Sequence, residues 1–454
     1  MATTTAPRPP AAAVEVPAEQ LPPGLRWPPL LQTLLWTVAP TWVMDRAAAR
    51  CGDEFTITFG PSARKLVMIS DPDAVKTVMT APPEVAPSGT AASPIASVLG
   101  PSSVITLVGA EHMRQRRLLL PPFHGERMRE YEQVIVEETR RDMASWPLGT
   151  PTQAHPRTRA ITLEVILRAV FGVEVERMDP LRTAIGDLLE PMNGLGMLRF
   201  VMSSSTGPPG GKVGEALARL DGLIYEELHR RRAQTDLEQR QDILSLLLLA
   251  RDEDGEPMTD QELRDELVSL LLAGHETTAT STAWAIERLV RHPAKLRRLI
   301  DELDAGEDDS YMQAVINETL RVRPVVPLVI RLLEEPLQVG ERLLPRGTRV
   351  APSVYLTNRS ARVYDDPTAF RPERFLGSSP ETFSWIPFGG GIRRCIGASF
   401  ALLEMKLILG TILGELEPSL PQRGGRLFRN GEWNRRRAIT LTPTAGARVV
   451  WRRR

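Results

Sequence analysis

The stretch from Thr259 to Pro293 constrains this chain more than any other. Thr259-Asp260-Gln261-Glu262 is a capping box, in which a threonine hydroxyl caps the third amide of a helix and a glutamate reaches back. Pro293 ends the pattern. Residues 260–291 therefore read as one helix of roughly 48 Å at ~1.5 Å per residue, long enough to cross a whole domain. Its middle, Leu270-Leu271-Leu272-Ala273-Gly274-His275-Glu276-Thr277-Thr278, turns abruptly from apolar to polar. A glycine, a glutamate and two threonines are a poor local choice for a buried helix. Local rules tend to fail at functional sites.

Other elements are mostly helical. Glu54–Phe59 and Lys65–Ser70 flank Gly60-Pro61-Ser62 and predict a β-hairpin. Pro72 starts a helix, and residues 82–106 read as a loop. From Glu111 the pattern is helical to about Arg323, with gaps near 148–156 and 203–212. A helix follows at Ala398–Leu409, and short β-like runs occur at 337–351 and 438–451. Nothing supports a βαβ alternation. The fold class is mainly α with a minor β-sheet region. Residues 1–24, rich in Pro and Ala, read as a flexible tail without the apolar centre of a secretory signal, and residues 25–454 read as one domain. Trp27–Met44 holds 18 uncharged residues, near the minimum of ~17–25 for a membrane span. Pro28, Pro29 and Pro40 break it, so a short helix packed on the body is expected, with no integral membrane anchor; transient contact of this segment with a membrane surface stays open as an alternative.

Several chemistries are excluded. Basic and acidic residues both number 56, which disfavours a nucleic-acid binder working through a whole-domain basic field. The two cysteines, Cys51 and Cys395, exclude a disulfide scaffold or a Cys-rich cluster and fit a reducing, cytoplasmic setting. His275-Glu276 opens a zinc-protease motif that Ala279 breaks, and the glycines before Lys212 fail the P-loop pattern at Thr206 and Val213. No dinucleotide fingerprint follows a strand, so no fused flavin or nicotinamide domain is expected.

Cys395 stands out. It lies in Phe388-Gly389-Gly390-Gly391-Ile392-Arg393-Arg394-Cys395-Ile396-Gly397, just before a helix. Glycines let backbone amides approach the sulfur. Neighbouring arginines and a helix N-terminus favour thiolate. Such a sulfur is a tunable metal ligand, and with no second cysteine to share a metal, haem is its natural partner.

At this point the sequence resembles the soluble bacterial cytochrome P450 haem-thiolate monooxygenases. Phe388, Gly391, Arg393, Cys395 and Gly397 fill the cysteine signature. Ala273, Gly274, Glu276, Thr277 and Thr278 fill the distal-helix motif. Glu318 to Arg321 fill ExxR, Phe370 to Phe375 the later arginine motif, and His112 with Arg116 an HxxxR helix. The run Gly125-Glu126-Arg127-Met128 is similar to soluble bacterial members. The resemblance implies a single large helical haem-thiolate fold binding heme b, with Cys395 as metal ligand. It implies haem contacts from His112, Arg116, Ala273, Arg331, Phe388, Gly391, Arg393 and Gly397, and a buried structural cluster of Glu318, Arg321 and Arg374. Ala273 and Gly274 would leave room above the iron, with a local helix distortion. Glu276 and Thr277 would deliver the two protons that dioxygen activation needs. The competing reading is a helix whose hydroxyls merely bond back to the preceding turn.

The implied activity is insertion of one oxygen atom from O2 into a C–H bond of an apolar small molecule such as a fatty acid, terpenoid, steroid or polyketide. Electrons would come from a ferredoxin and an NAD(P)H-dependent ferredoxin reductase, with Arg114, Arg117 and Arg394 candidates for the docking face. Candidate pocket residues are Leu270, Ala273, Val329 and Thr444, the last within the Thr442–Ala445 turn, with an apolar lid of Met192, Met197, Phe200 and Met202. A cytoplasmic monomer is expected. Two readings compete: a haem-thiolate protein that binds or senses a ligand without turnover, and a haem-thiolate isomerase or dehydratase.

Overall fold

A computed structural model describes residues 21–454 except 61–62, 90–94, 124, 126, 173–177, 193–208, 307, 422–430 and 438. In chain order the helices are α1 (Pro29–Val38), α2 (Pro40–Cys51), α3 (Pro72–Thr80), α4 (Ala96–Leu99), α5 (Gly109–Leu119), α6 (Arg127–Met143), α7 (Ala154–Phe171), α8 (Asp179–Leu189), α9 (Gly211–Arg232), α10 (Ile243–Leu249), α11 (Asp260–Val290), α12 (Pro293–Ala305), α13 (Ser310–Val322), α14 (Val354–Thr357) and α15 (Ala398–Glu415). The strands are β1 (Glu54–Phe59), β2 (Arg64–Ile69), β3 (Pro151–Gln153), β4 (Arg331–Leu332), β5 (Leu337–Val339), β6 (Arg342–Leu344), β7 (Arg349–Pro352), β8 (Leu416–Ser419), β9 (Asn434–Arg437), β10 (Thr440–Pro443) and β11 (Arg448–Arg453).

The long helix forms as its cap dictates. Thr259 Oγ1 accepts from Glu262 N, and the Glu262 carboxylate accepts from the Thr259 amide. From Asp260 to Val290 the helix is 31 residues long and unbroken. It buries nearly its whole circumference, because α7 packs along it and α15, α13, α9 and β10 cover the other sides. This accounts for its lack of a one-sided apolar stripe: a helix hydrophobic all round is a core element. Leu263, Leu267, Val268, Leu271, Ala283, Ile286 and Leu289 anchor the main core along it.

The hairpin β1–β2 pairs Glu54 with Ile69 through Phe59 with Arg64. It extends into a four-stranded sheet of order β1-β2-β7-β4, in which β2 and β7 run parallel. The β-like runs expected within 337–351 form three short strands, β5, β6 and β7. β3 and β8, missed in the sequence, flank β11 in a second sheet; each is at most four residues and carries a proline, so only its partner defines it. Packing against the body includes residues before 25: Leu21 and Pro22 are buried, and Thr56 Oγ1 donates to Pro22 O at 2.7 Å. The 27–44 stretch forms two helices split at Ala39, with Pro40 opening the second. Among the described residues no helix is long and apolar enough to cross a membrane.

Candidate active site

The site is assembled around the loop that carries Cys395. Gly389 and Gly391 adopt left-handed conformations, φ +70° and +64°. A Cβ on Gly391 would lie 2.2 Å from the Met79 carbonyl oxygen, so only glycine fits. The loop closes by Cys395 N donating to Phe388 O at 2.9 Å, and the Gly397 amide donates to the sulfur. Phe388 packs against Trp385, their ring centroids 6.0 Å apart. The thiol is crowded by protein while the residue opens onto solvent-accessible space. Burial pushes the Cys395 thiol up, and this outweighs the Gly397 amide, Arg116 and Arg394. The surroundings alone do not hold a thiolate; a bound metal ion would deprotonate it outright.

Beside the sulfur lies a group of cations without anions. Arg393, from the Cys395 loop, donates to the carbonyls of Val104, at 3.0 Å, and Leu107. Its guanidinium is pushed down to about 10 by burial and by Arg331 and Arg116. His112, on α5, is pushed down to about 4 by burial and then by Arg393, Arg116 and Arg331. His112 Nδ1 is buried without a hydrogen-bond partner among the described residues. No carboxylate among the described residues pairs with Arg116, Arg331 or Arg393; Arg331 is 7% exposed, its Nη1 reaching only the Ile330 carbonyl. Uncompensated buried cations and an orphaned imidazole are costly unless an anion completes them. A dianionic macrocycle held through one sulfur would satisfy them, so these residues fit haem.

The neighbouring wall is α11. Ala273 is exposed, and Leu270 and Thr277 half-buried, in the middle of an otherwise enclosed helix. At spacings of three and four they share one face. Thr277 Oγ1 donates back to Ala273 O at 2.6 Å. Two corrections follow. α11 shows no distortion here. Gly274 does not open the cleft but faces α7, where a Cβ would meet Ile166 Cδ1 at 3.1 Å; the room above the site comes from Ala273.

Glu276 points elsewhere. Its carboxylate meets Arg159 Nε at 2.8 Å, Arg437 Nε at 3.1 Å and His155 Nε2 at 3.6 Å. Burial alone would raise it, but the neighbouring His155 and the two guanidiniums hold it at about 2. The sequence reading missed all three partners. The i, i+4 pair His155 and Arg159 carries a faint signal, and nothing local marks Arg437.

The missed acids Asp265 and Glu266 also matter. Buried on α11, they accept from Ser102 N at 2.9 Å and Val104 N at 2.7 Å, and Ser103 Oγ meets Ser269 Oγ at 2.6 Å. α11 thus fixes the 102–107 segment, which in turn holds Arg393.

The buried cluster assembles fully. Glu318 takes Arg321 in a bidentate pair at 2.7 and 2.9 Å, Arg374 Nε at 3.2 Å and Arg371 N at 2.7 Å.

Other expected residues are placed differently. Thr444 lies at the far end of β10, where its hydroxyl donates to Trp433 O at 2.5 Å, and the adjoining turn is held by Glu432. Arg437, at the other end of the hairpin, is the residue that reaches Glu276. Thr444 is therefore withdrawn as a pocket residue. Val329 stays beside Arg331, its amide bonded to Pro352 O. Arg114 is neutralised by Asp252 and Glu262, both at 2.6 Å, and Arg117 pairs with Glu253; of the three docking candidates only Arg394 is exposed without a carboxylate partner among the described residues. The side chains of Met192, Met197, Phe200 and Met202 lie outside what the structure describes.

The chain is similar to known proteins along nearly its whole length. The cytochrome P450 family model matches residues 22–445. Cytochrome P450 138 of Mycobacterium tuberculosis is 37% identical, over 98% of this chain and 99% of its own. Cytochrome P450 135B1 of the same organism is 37% identical, over 94% and 91%. Among solved structures, retinoic acid-bound cyanobacterial CYP120A1 aligns with a TM-score of 0.80 at 23% identity, covering 96% of this chain and 99% of that one. The cytochrome P450DA heme domain aligns with a TM-score of 0.82 at 21% identity, covering 96% and 98%. At such identities the two structures speak for the fold.

Proposed function

We propose, for a chain that belongs to the cytochrome P450 family and is by that membership a haem b monooxygenase, that it hydroxylates a C–H bond of an apolar small molecule. A fatty acid, terpenoid, steroid or polyketide fits, with electrons drawn from an external ferredoxin and its NAD(P)H-dependent reductase. The observation that carries this is the unpaired cluster of His112, Arg116, Arg331 and Arg393 beside a glycine-cradled cysteine. Haem bound there supplies reductive activation of dioxygen and transfer of one oxygen atom to carbon.

The protein's own groups do the rest. Cys395 ligates the metal, and Gly391 and Gly397 keep the backbone close to the sulfur. His112, Arg116, Arg331 and Arg393 pair with the propionates by charge-assisted hydrogen bonds. Phe388 packs beside the sulfur. Leu270, Ala273 and Val329 orient an apolar substrate and exclude water. Thr277 Oγ1, on the cleft face of α11, would release its bond to Ala273 O and hold the proton that dioxygen activation consumes. Glu276, an anion turned away from Thr277 toward Arg159 and Arg437, would act on proton supply only indirectly, by fixing α7 and the β9–β10 hairpin against α11. Arg394 contributes to electron-donor docking. The enzyme works as a cytoplasmic monomer.

The test is a screen of apolar compounds for the ferric spin-state change, followed by product analysis with ferredoxin, reductase and oxygen. Substrate-dependent electron consumption yielding a hydroxylated product is expected. Isomerised or dehydrated product formed without a donor would contradict it.

A further inference from the structure

We propose that the outer face of α1, with Trp42 beside it, is a docking surface for an anionic lipid bilayer, making the enzyme a peripheral membrane protein. α1 packs inward through Leu35 and Trp36, the latter edge-on to Phe59 at 5.4 Å, yet leaves a second apolar face uncovered. Its polar side chains face the protein: Gln32, 2% exposed, donates to Leu25 O at 3.1 Å and Trp27 O at 2.8 Å and accepts from Thr58 N at 3.0 Å. Thr33 Oγ1 accepts from Gly60 N at 2.8 Å. Four of its apolar side chains face out: Leu30 is 64% exposed, Leu31 41%, Leu34 56% and Val38 62%. At 100° per residue these four fall in one stripe about 100° wide. A helix docked on a water-soluble body ordinarily shows the reverse arrangement, and contiguous apolar surface of this kind marks a binding face.

The surroundings specify the occupant. α1 carries no charged residue. Trp27 and Trp42 stack at its edge, 5.7 Å apart and 14° from parallel, with Trp42 half exposed. Arg26, Arg46 and Arg50 are exposed nearby, and none pairs with a carboxylate among the described residues. The one acid of these helices, Asp45, accepts from the Tyr355 hydroxyl at 3.0 Å. β9 packs against α1 and adds exposed Arg435, flanked by exposed Trp433. An uncharged apolar stripe, tryptophans at its margin and cations around it are the attributes of a surface that sits among headgroups. A second copy of the chain docked here by a two-fold axis would set the same cations against one another.

The test uses full-length holoenzyme and extruded vesicles of phosphatidylcholine, alone or mixed with phosphatidylglycerol, in a sedimentation assay. Binding to the mixed vesicles is expected, weaker on phosphatidylcholine alone and weakened by salt. Leu30→Ser and Leu34→Ser should each weaken it about tenfold, and Arg26→Gln or Arg46→Gln about fivefold each, with the reduced carbon monoxide spectrum unchanged as a check on folding. Quenching of wild-type tryptophan emission by brominated lipid needs no variant and should accompany binding. Absence of wild-type binding to the mixed vesicles, or undiminished binding of the folded leucine variants, overturns the proposal. So does a dimer in sedimentation velocity that Leu34→Ser abolishes, which would assign the face to a second copy.

Discussion

Arg437 Nε lies 3.1 Å from Glu276 Oε1, so the β9–β10 hairpin and the centre of α11 share an ion pair 161 residues apart in the chain. Arg159 Nε secures the second oxygen at 2.8 Å. The carboxylate is thereby an anchor between two walls of the site and remains ionised throughout the physiological range.

Arg437→Gln should release one of those anchors at a cost of about 1.5–3 kcal/mol near neutral pH. The Glu276 carboxyl is depressed to about 2 in the folded protein from an ordinary 4.5. Its stabilisation is therefore fully present above about pH 4.5 and lost as pH falls toward about 2. Denaturant unfolding across that window should show a steeper acid loss for the wild type, converging on the variant. Parallel profiles would show that Arg437 does not set the carboxyl's charge.

Thr277→Ala removes the only hydroxyl on the Leu270, Ala273 and Thr277 face. We expect product formed per electron consumed to fall by roughly 10²-fold, with oxygen released as hydrogen peroxide instead. Thr277→Ser should restore most of it. Equal coupling in all three proteins would mean that the bond to Ala273 O is all the hydroxyl does.

Glu318→Ala should cost about 3–5 kcal/mol, because it strands the fully buried Arg321 and frees Arg371 N and Arg374. Haem-free or insoluble protein is the expected outcome. A folded variant with full haem occupancy and unchanged Tm would remove the cluster from a structural role.

Glu404, on α15, is fully buried, and among the described residues neither carboxyl oxygen has a hydrogen-bond partner. Burial raises its carboxyl to about 8, only partly offset by Thr278. A raised carboxyl favours folding fully below its unfolded value, about 4.5, and that advantage is lost as pH climbs through about 8. Glu404→Gln should flatten the decline of stability between these values, measured by thermal melts across the range. An unchanged slope would show that the decline has another source.

How much of this was legible in the sequence depends on whether the information is local. The capping box at Thr259 and the β1–β2 hairpin are written in a few adjacent residues, and both form where expected. The Glu318–Arg321 pair is one helical turn apart, and only its third partner, Arg374, is distant. The direction of Glu276 was not legible. One residue separates it from Thr277, but 100° of helix rotation turns it to a different wall, and its partners arrive from α7 and β9. Thr444 was misplaced for a related reason: a β-like run at 438–451 could be read, but not its pairing with β9, whose Arg437 meets Glu276. Arg114 looked like free surface charge because Asp252 and Glu262, which neutralise it, lie more than a hundred residues away.

The most direct measurement is the carbon monoxide difference spectrum of the reduced wild type and of Cys395→His. Sulfur ligation predicts the strongly red-shifted thiolate-type band in the wild type and an imidazole-type band, with hydroxylation lost, in the variant. A thiolate-type band that survives in Cys395→His, or is missing from haem-loaded wild type, would contradict Cys395 as the ligand.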